Sequence, residues 1–178
     1  MLFKSRRSYI AATLSILLTF SFVAASAAAM PTSIDFSLRT LDGQRISSTD
    51  LHGQVVVLAF GASWLPLTRK QIQGVRKLAD QYAGRGVAVY FVSTDSDSPK
   101  SKNFASDEQL RDYARRSEMN VTILRDPDGT VSKQLGVDQI PAIVILDKQG
   151  NVSGAPINGF DPNGDLVDQV APHLNKVL

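Results

Sequence analysis

Six consecutive apolar residues, Val55-Val56-Val57-Leu58-Ala59-Phe60, are bounded by Gly53 and Gly61. A run this short, rich in β-branched residues and without polar alternation, fits a strand buried on both faces in the middle of a sheet. Such a strand needs a covering layer above and below. The next segment supplies one: from Leu67 to Ala83 the positions Ile72, Val75, Leu78, Ala79 and Tyr82 recur at helical spacing until Gly84 and Gly86 end the pattern. Val87 to Val92 is the next buried strand, so two strands and their crossover helix predict a right-handed βαβ unit.

The rest of the chain continues this alternation. Ile34 to Leu38, the turn Leu41-Asp42-Gly43-Gln44 and Arg45-Ile46-Ser47 predict a short hairpin ahead of the core strand. Thr94 to Asp107 is polar and reads as a loop; Glu108 to Ser117 then carries Leu110, Tyr113 and Ala114 at helical spacing, with Ser106 or Asp107 as N-cap. Val121 to Leu124 predicts a short strand, Asp126-Pro127-Asp128-Gly129 a turn, and Val131 to Leu135 a short helix stopped by Gly136. Ala142 to Leu146 is a further strand, with a turn at Asp147 to Gly150 and a return strand over Asn151 to Ile157. An amphipathic helix through Leu166, Val167, Val170 and Leu174, interrupted or bent near Pro172, closes the chain. The predicted class is α/β: a three-layer α/β/α sandwich with an N-terminal β-hairpin and a mixed central sheet.

Residues 1 to 29 differ from everything after them. A basic start (Lys4, Arg6, Arg7), an apolar stretch from Tyr9 to Val23 and the small residues Ala24 to Ala29 read as a secretory signal peptide with a cleavable Ala27-Ala28-Ala29 end. Tyr9 to Ala29 is also long enough for a membrane anchor, but Thr13, Ser15, Thr19, Ser21 and Ser26 dilute the run and no charged stop follows it. Ser5-Arg6-Arg7-Ser8-Tyr9-Ile10 resembles the twin-arginine export motif, an alternative route across the membrane. The expected organisation is a signal peptide over 1–29 and one domain over 30–178, periplasmic or secreted, with no membrane attachment after cleavage. Removing the leader takes Lys plus Arg from 19 to 16 against 17 Asp plus Glu, so the formal charge falls from +2 to −1. The pI near 9.0 therefore belongs to the precursor and argues for no nucleic-acid partner.

The turn between the core strand and the first helix reads Ser63-Trp64-Leu65-Pro66-Leu67-Thr68-Arg69-Lys70. It has the form of a Trp-Cys-x-x-Cys-Arg/Lys redox segment with Leu65 and Thr68 where the cysteines would stand, and the chain contains no cysteine elsewhere. Four other segments accompany it in order: Phe36-Ser37-Leu38 to Gly43, Leu51-His52-Gly53-Gln54 leading into the core strand, Asp126-Pro127-Asp128-Gly129 followed by Leu135-Gly136-Val137, and Gln139-Ile140-Pro141-Ala142 leading to Asp147. Together they resemble the exported thioredoxin-like thiol-disulfide oxidoreductases of the TlpA and ResA type, relatives of the peroxiredoxins, over roughly residues 32 to 176. The resemblance implies a thioredoxin-like fold, a cis Pro141 bordering the active-site groove, a partly exposed Trp64 beside it and an outward-facing Leu65. Gln71 stands where such proteins often carry a Glu that manages protons, and an amide does not titrate.

A thiolate is the nucleophile of dithiol-disulfide exchange, and neither a Leu side chain nor a Thr hydroxyl replaces it. No catalytic residue is expected. The expected binding site is the apolar groove of Trp64, Leu65, Pro66, Leu67, Thr68, Ile140 and Pro141, and the expected ligand is a peptide or protein partner. His52 and His173 are isolated, and the Asp95-Ser96-Asp97-Ser98 loop lacks calcium-site spacing, so neither a metal nor a cofactor is expected. Arg69, Arg76 and Lys77 read as a solvated helix face. Three functions compete: a redox-inactive binding or assembly module; an oxidoreductase or peroxidase-family protein whose thiols come from a partner; and a structural subunit without a working groove.

Overall fold

The computed structural model describes residues 34–178, and the signal-peptide reading of residues 1 to 29 lies outside the described residues. Seven strands form one sheet: β1 (Ser37–Thr40), β2 (Arg45–Ser47), β3 (Val55–Gly61), β4 (Val87–Ser93), β5 (Thr122–Arg125), β6 (Ala142–Leu146) and β7 (Ile157–Asn158). Their spatial order is β2-β1-β5-β4-β3-β6-β7. The β3–β4 and β4–β5 pairs are parallel and the others antiparallel, so the sheet is mixed as expected. Four helices cover it: α1 (Pro66–Tyr82), α2 (Asp107–Arg116), α3 (Thr130–Gln134) and α4 (Leu166–Leu174).

Every residue of β3 is buried, and the pleat sends its side chains alternately to two cores. Val55, Val57 and Ala59 meet Ile72, Val75 and Leu78 of α1, Tyr113 of α2 and Leu166, Val170 and Leu174 of α4. Val56, Leu58 and Phe60 meet Leu38 of the hairpin, Leu51, and Val131 beside Leu135 under α3. The three-layer sandwich with its N-terminal hairpin is thus the observed fold.

Several local expectations need correction. The hairpin ladder begins at Ser37, because Phe36 instead exchanges hydrogen bonds with Ser48, whose amide donates to the Phe36 carbonyl at 2.9 Å. In β4 only Phe91, Val92 and Ser93 are buried: β5 starts opposite Tyr90, which leaves Val87 to Val89 without a neighbour on that side. The return strand is broken. Val152 bridges Leu146, the Ser153 amide donates to the Ile145 carbonyl at 2.8 Å and Ile157 pairs with Ile143, so the ladder is interrupted over Gly154 to Pro156, with Gly154 at φ +78° and Pro156 lacking an amide donor. α4 runs without interruption through Pro172. Of the two N-cap candidates, Ser106 serves, accepting from the Gln109 amide while the Gln109 side chain accepts from the Ser106 amide.

Candidate functional site

The register assembles the site at one end of the sheet. Phe60 pairs with Ala142, Gly61 with Ser93 and Ser93 with Arg125, so the C-terminal ends of β3, β4 and β5 meet the N-terminal end of β6. The loop into α1 and the loop ending at Pro141 leave the sheet side by side. The Ile140–Pro141 peptide is cis, as the family resemblance implies. α1 starts with Pro66 in its first turn, where a missing amide donor costs nothing, and Leu65 precedes it in extended conformation.

Gln71 is fully buried beneath both loops. Its Nε2 donates to the Phe60 carbonyl at 3.2 Å and the Ala142 carbonyl at 3.1 Å, tying β3 to β6 where the sheet would otherwise splay. The position that looked like a lost proton-handling acid is a structural tie.

A second buried group fixes the loop itself. Asp95, 1% exposed, accepts from the Ser63 amide at 2.9 Å, the Ser63 hydroxyl at 2.8 Å and the Ser93 hydroxyl at 2.8 Å. Ser93 Oγ in turn accepts from Arg125 Nη1 at 3.3 Å, and Arg125 Nη2 donates to the Ala105 carbonyl at 3.1 Å. Arg125 Nε lies 3.6 Å from Asp107 Oδ1, and Asp107 takes a two-pronged contact from Arg39 at 2.6 and 3.1 Å. The network runs from the hairpin through the first turn of α2 to the loop that carries Trp64.

Its electrostatics are one-sided. The Arg39 hydrogen bond holds the Asp107 carboxyl below its usual range, while burial pulls the Arg125 guanidinium down from its ordinary value. A carboxylate with a depressed native pKa stabilises the fold above its unfolded pKa, and that contribution is lost as pH falls through the native value. Asp107→Asn is therefore expected to cost about 1 kcal/mol near neutral pH, with the gap to wild type closing as pH falls below about 4, the ordinary aspartate value. Urea midpoints across that range check it.

The expected groove is smaller than the sequence suggested. Trp64 is 52% exposed and Pro66 is exposed, but Leu65, Leu67 and Ile140 are only half-exposed, with Leu67 and Ile140 packed against the two cores. Thr68 and Pro141 are buried. Thr68 cannot touch a ligand, because its Oγ1 accepts from the Ala62 amide at 3.3 Å and faces Gly61. Leu65 does not project freely as the resemblance implied, since its side chain is partly covered at the helix start. What remains exposed is the Trp64 indole and Pro66 next to it in the chain, with Leu65 and Ile140 partly accessible. His52 sits beside Gly150, by the N-terminal end of β3, away from this surface.

Ser63, Asp95 and Arg125 escaped the sequence reading. Asp95 read as part of a small acidic loop without calcium-site spacing, of which Asp97 and Ser98 are exposed. The available signal was parity: Asp95 stands two residues beyond Ser93 at the end of a buried strand, on the same side.

Comparison with known proteins agrees with this architecture. The AhpC/TSA family model matches residues 30–155. The thioredoxin-like protein YneN of Bacillus subtilis is 33% identical over 118 residues, covering 65% of this chain and 64% of the relative. The thiol-disulfide oxidoreductase ResA of Bacillus cereus is 25% identical over 118 residues, covering 66% and 63%. The chain thus spans somewhat under two thirds of the length of these relatives. A secreted disulfide oxidoreductase of Mycobacterium tuberculosis shares the fold, with a TM-score of 0.60, 20% identity and coverage of 79% of this chain and 95% of that one.

Proposed function

The chain belongs to the AhpC/TSA family, as a thioredoxin-like protein of the TlpA/ResA type, and on that premise we propose that it is an exported, redox-inactive member whose former active-site surface holds a peptide segment of a partner protein. The fold is that of thiol-disulfide oxidoreductases, and the chain has no thiol with which to perform their exchange. The observation that carries the reading is Trp64. It is the single tryptophan, it is one of two large apolar side chains exposed among the described residues, and its loop is fixed by the buried carboxylate of Asp95. An indole pairs a large apolar area with a hydrogen-bond donor, which suits it to recognition at a wet surface. Export follows from the leader and is supported by the secreted relative of the same fold.

Two assays on one preparation test the proposal. In dithiothreitol-driven insulin reduction the protein is expected to add nothing to the background; turnover by metal-free protein would contradict the redox-inactive reading. In affinity capture from an envelope extract, a partner retained by wild type is expected to be lost from Trp64→Ser, whose exposed position leaves the core intact. Equal capture by both would assign the interaction to another surface.

A further inference from the structure

α1 packs along α4 but makes no comparable contact with α2. A cleft of about 990 Å³ separates α1 from α2. We infer that this cleft binds a small organic oxyanion, a ligand carrying two or more phosphate or carboxylate groups. The inference is independent of the Trp64 surface.

Two polar stripes face each other across the cleft. On α1, Arg69, Gln73 and Arg76 recur at helical spacing; on α2, Gln109, Tyr113 and Arg116 do the same. The sequence reading treated the basic residues of α1 as one solvated face, but they divide: Lys77 pairs with Asp165 at 3.0 Å beside α4, while Arg69 and Arg76 turn to the cleft. The two carboxylates that line it already have partners. Glu118 pairs with Arg76 at 2.8 Å, and Asp112 with Arg115. Arg69 and Arg116 have no ion pair among the described residues, so two guanidinium groups are left for a ligand.

The floor supplies the second observation. Tyr113 is 7% exposed, and its hydroxyl, near Ser117, makes no well-formed hydrogen bond; Arg76 Nε is likewise buried and unpartnered. Orphaned buried donors are uncommon in native proteins, and here both line a cavity flanked by unpaired positive charge. A ligand oxygen would satisfy them while meeting the guanidinium forks in their preferred two-pronged geometry. The Arg76–Glu118 pair joins the two walls of the cleft, and Ser63 and Phe104 also line it. Its volume is at the upper end of the range for small-molecule sites.

Calorimetric titration of the full chain with inorganic pyrophosphate and, separately, citrate at constant ionic strength tests this. Saturable one-site binding of either is expected, and which one binds distinguishes a phosphate ligand from a polycarboxylate. Arg69→Gln with Arg116→Gln is expected to weaken binding by about tenfold or more, and Tyr113→Phe to weaken it while leaving the urea midpoint no lower, since it removes a hydroxyl without a well-formed hydrogen bond. No binding of either probe, or binding that the double variant leaves unchanged, would overturn the inference.

Discussion

Replacing Asp95 by alanine is expected to destabilise the domain by about 3 kcal/mol and to release the loop that carries Trp64. The substitution leaves the Ser63 amide, the Ser63 hydroxyl and the Ser93 hydroxyl without the acceptor that all three now share. It also removes a negative charge that acts on Arg125, whose side chain is 1% exposed. Asp95→Asn should fall between the two, because its amide nitrogen cannot accept from a serine. Urea midpoints measure the stability, and Trp64 emission measures the loop. A loss below about 0.5 kcal/mol, the size of an ordinary surface substitution, would mean the loop is held by something else.

The second large effect runs against helix propensity. Gly74 lies in the middle of α1, where alanine is normally better by about 1 kcal/mol. Here a Cβ would meet Leu166 at the start of α4, reaching its Cβ directly and lying 2.7 Å from its Cδ2. The obstructing atom is the root of the side chain, so a rotamer change cannot clear it. Gly74→Ala is therefore expected to cost about 2–3 kcal/mol as the two helices are forced apart. Adding Leu166→Ala should not relieve the clash, because the Cβ that causes it remains. A Gly74→Ala protein as stable as wild type would show that α1 and α4 can separate without penalty.

The regular frame was legible because its residues carry a period. The unbroken apolar run of β3, the helical recurrence of Ile72, Val75, Leu78 and Tyr82, and the run Ala142 to Leu146 each admit essentially one packing, and each element fell where its pattern put it. The broken β7 was not legible. Asn151 to Ile157 contains enough apolar residues to pass for a strand, and only the pairing of Val152 with Leu146 and of Ile157 with Ile143 reveals that Gly154 to Pro156 fall out of register. At the candidate site, the sequence misjudged which way some of the residues face. Thr68 and Leu67 were grouped with Trp64 by adjacency, whereas a helix start turns successive residues about 100° apart and sends Thr68 into the sheet. The polar residues that hold the loop lie far apart in the chain, from Arg39 through Asp95 to Arg125, and nothing local marks them as one network.

On the proposed function, the surface that carries Trp64 binds polypeptide without thiol chemistry. The lone tryptophan reports on it directly. Titrating the protein with an unfolded, fully alkylated model polypeptide should shift Trp64 emission to the blue in a saturable way, as the indole leaves water. Pro66→Asp, an exposed first-turn position where a carboxylate suits the helix dipole, should abolish the shift without lowering stability. No shift in the wild type, or an equal shift in the variant, would contradict the claim.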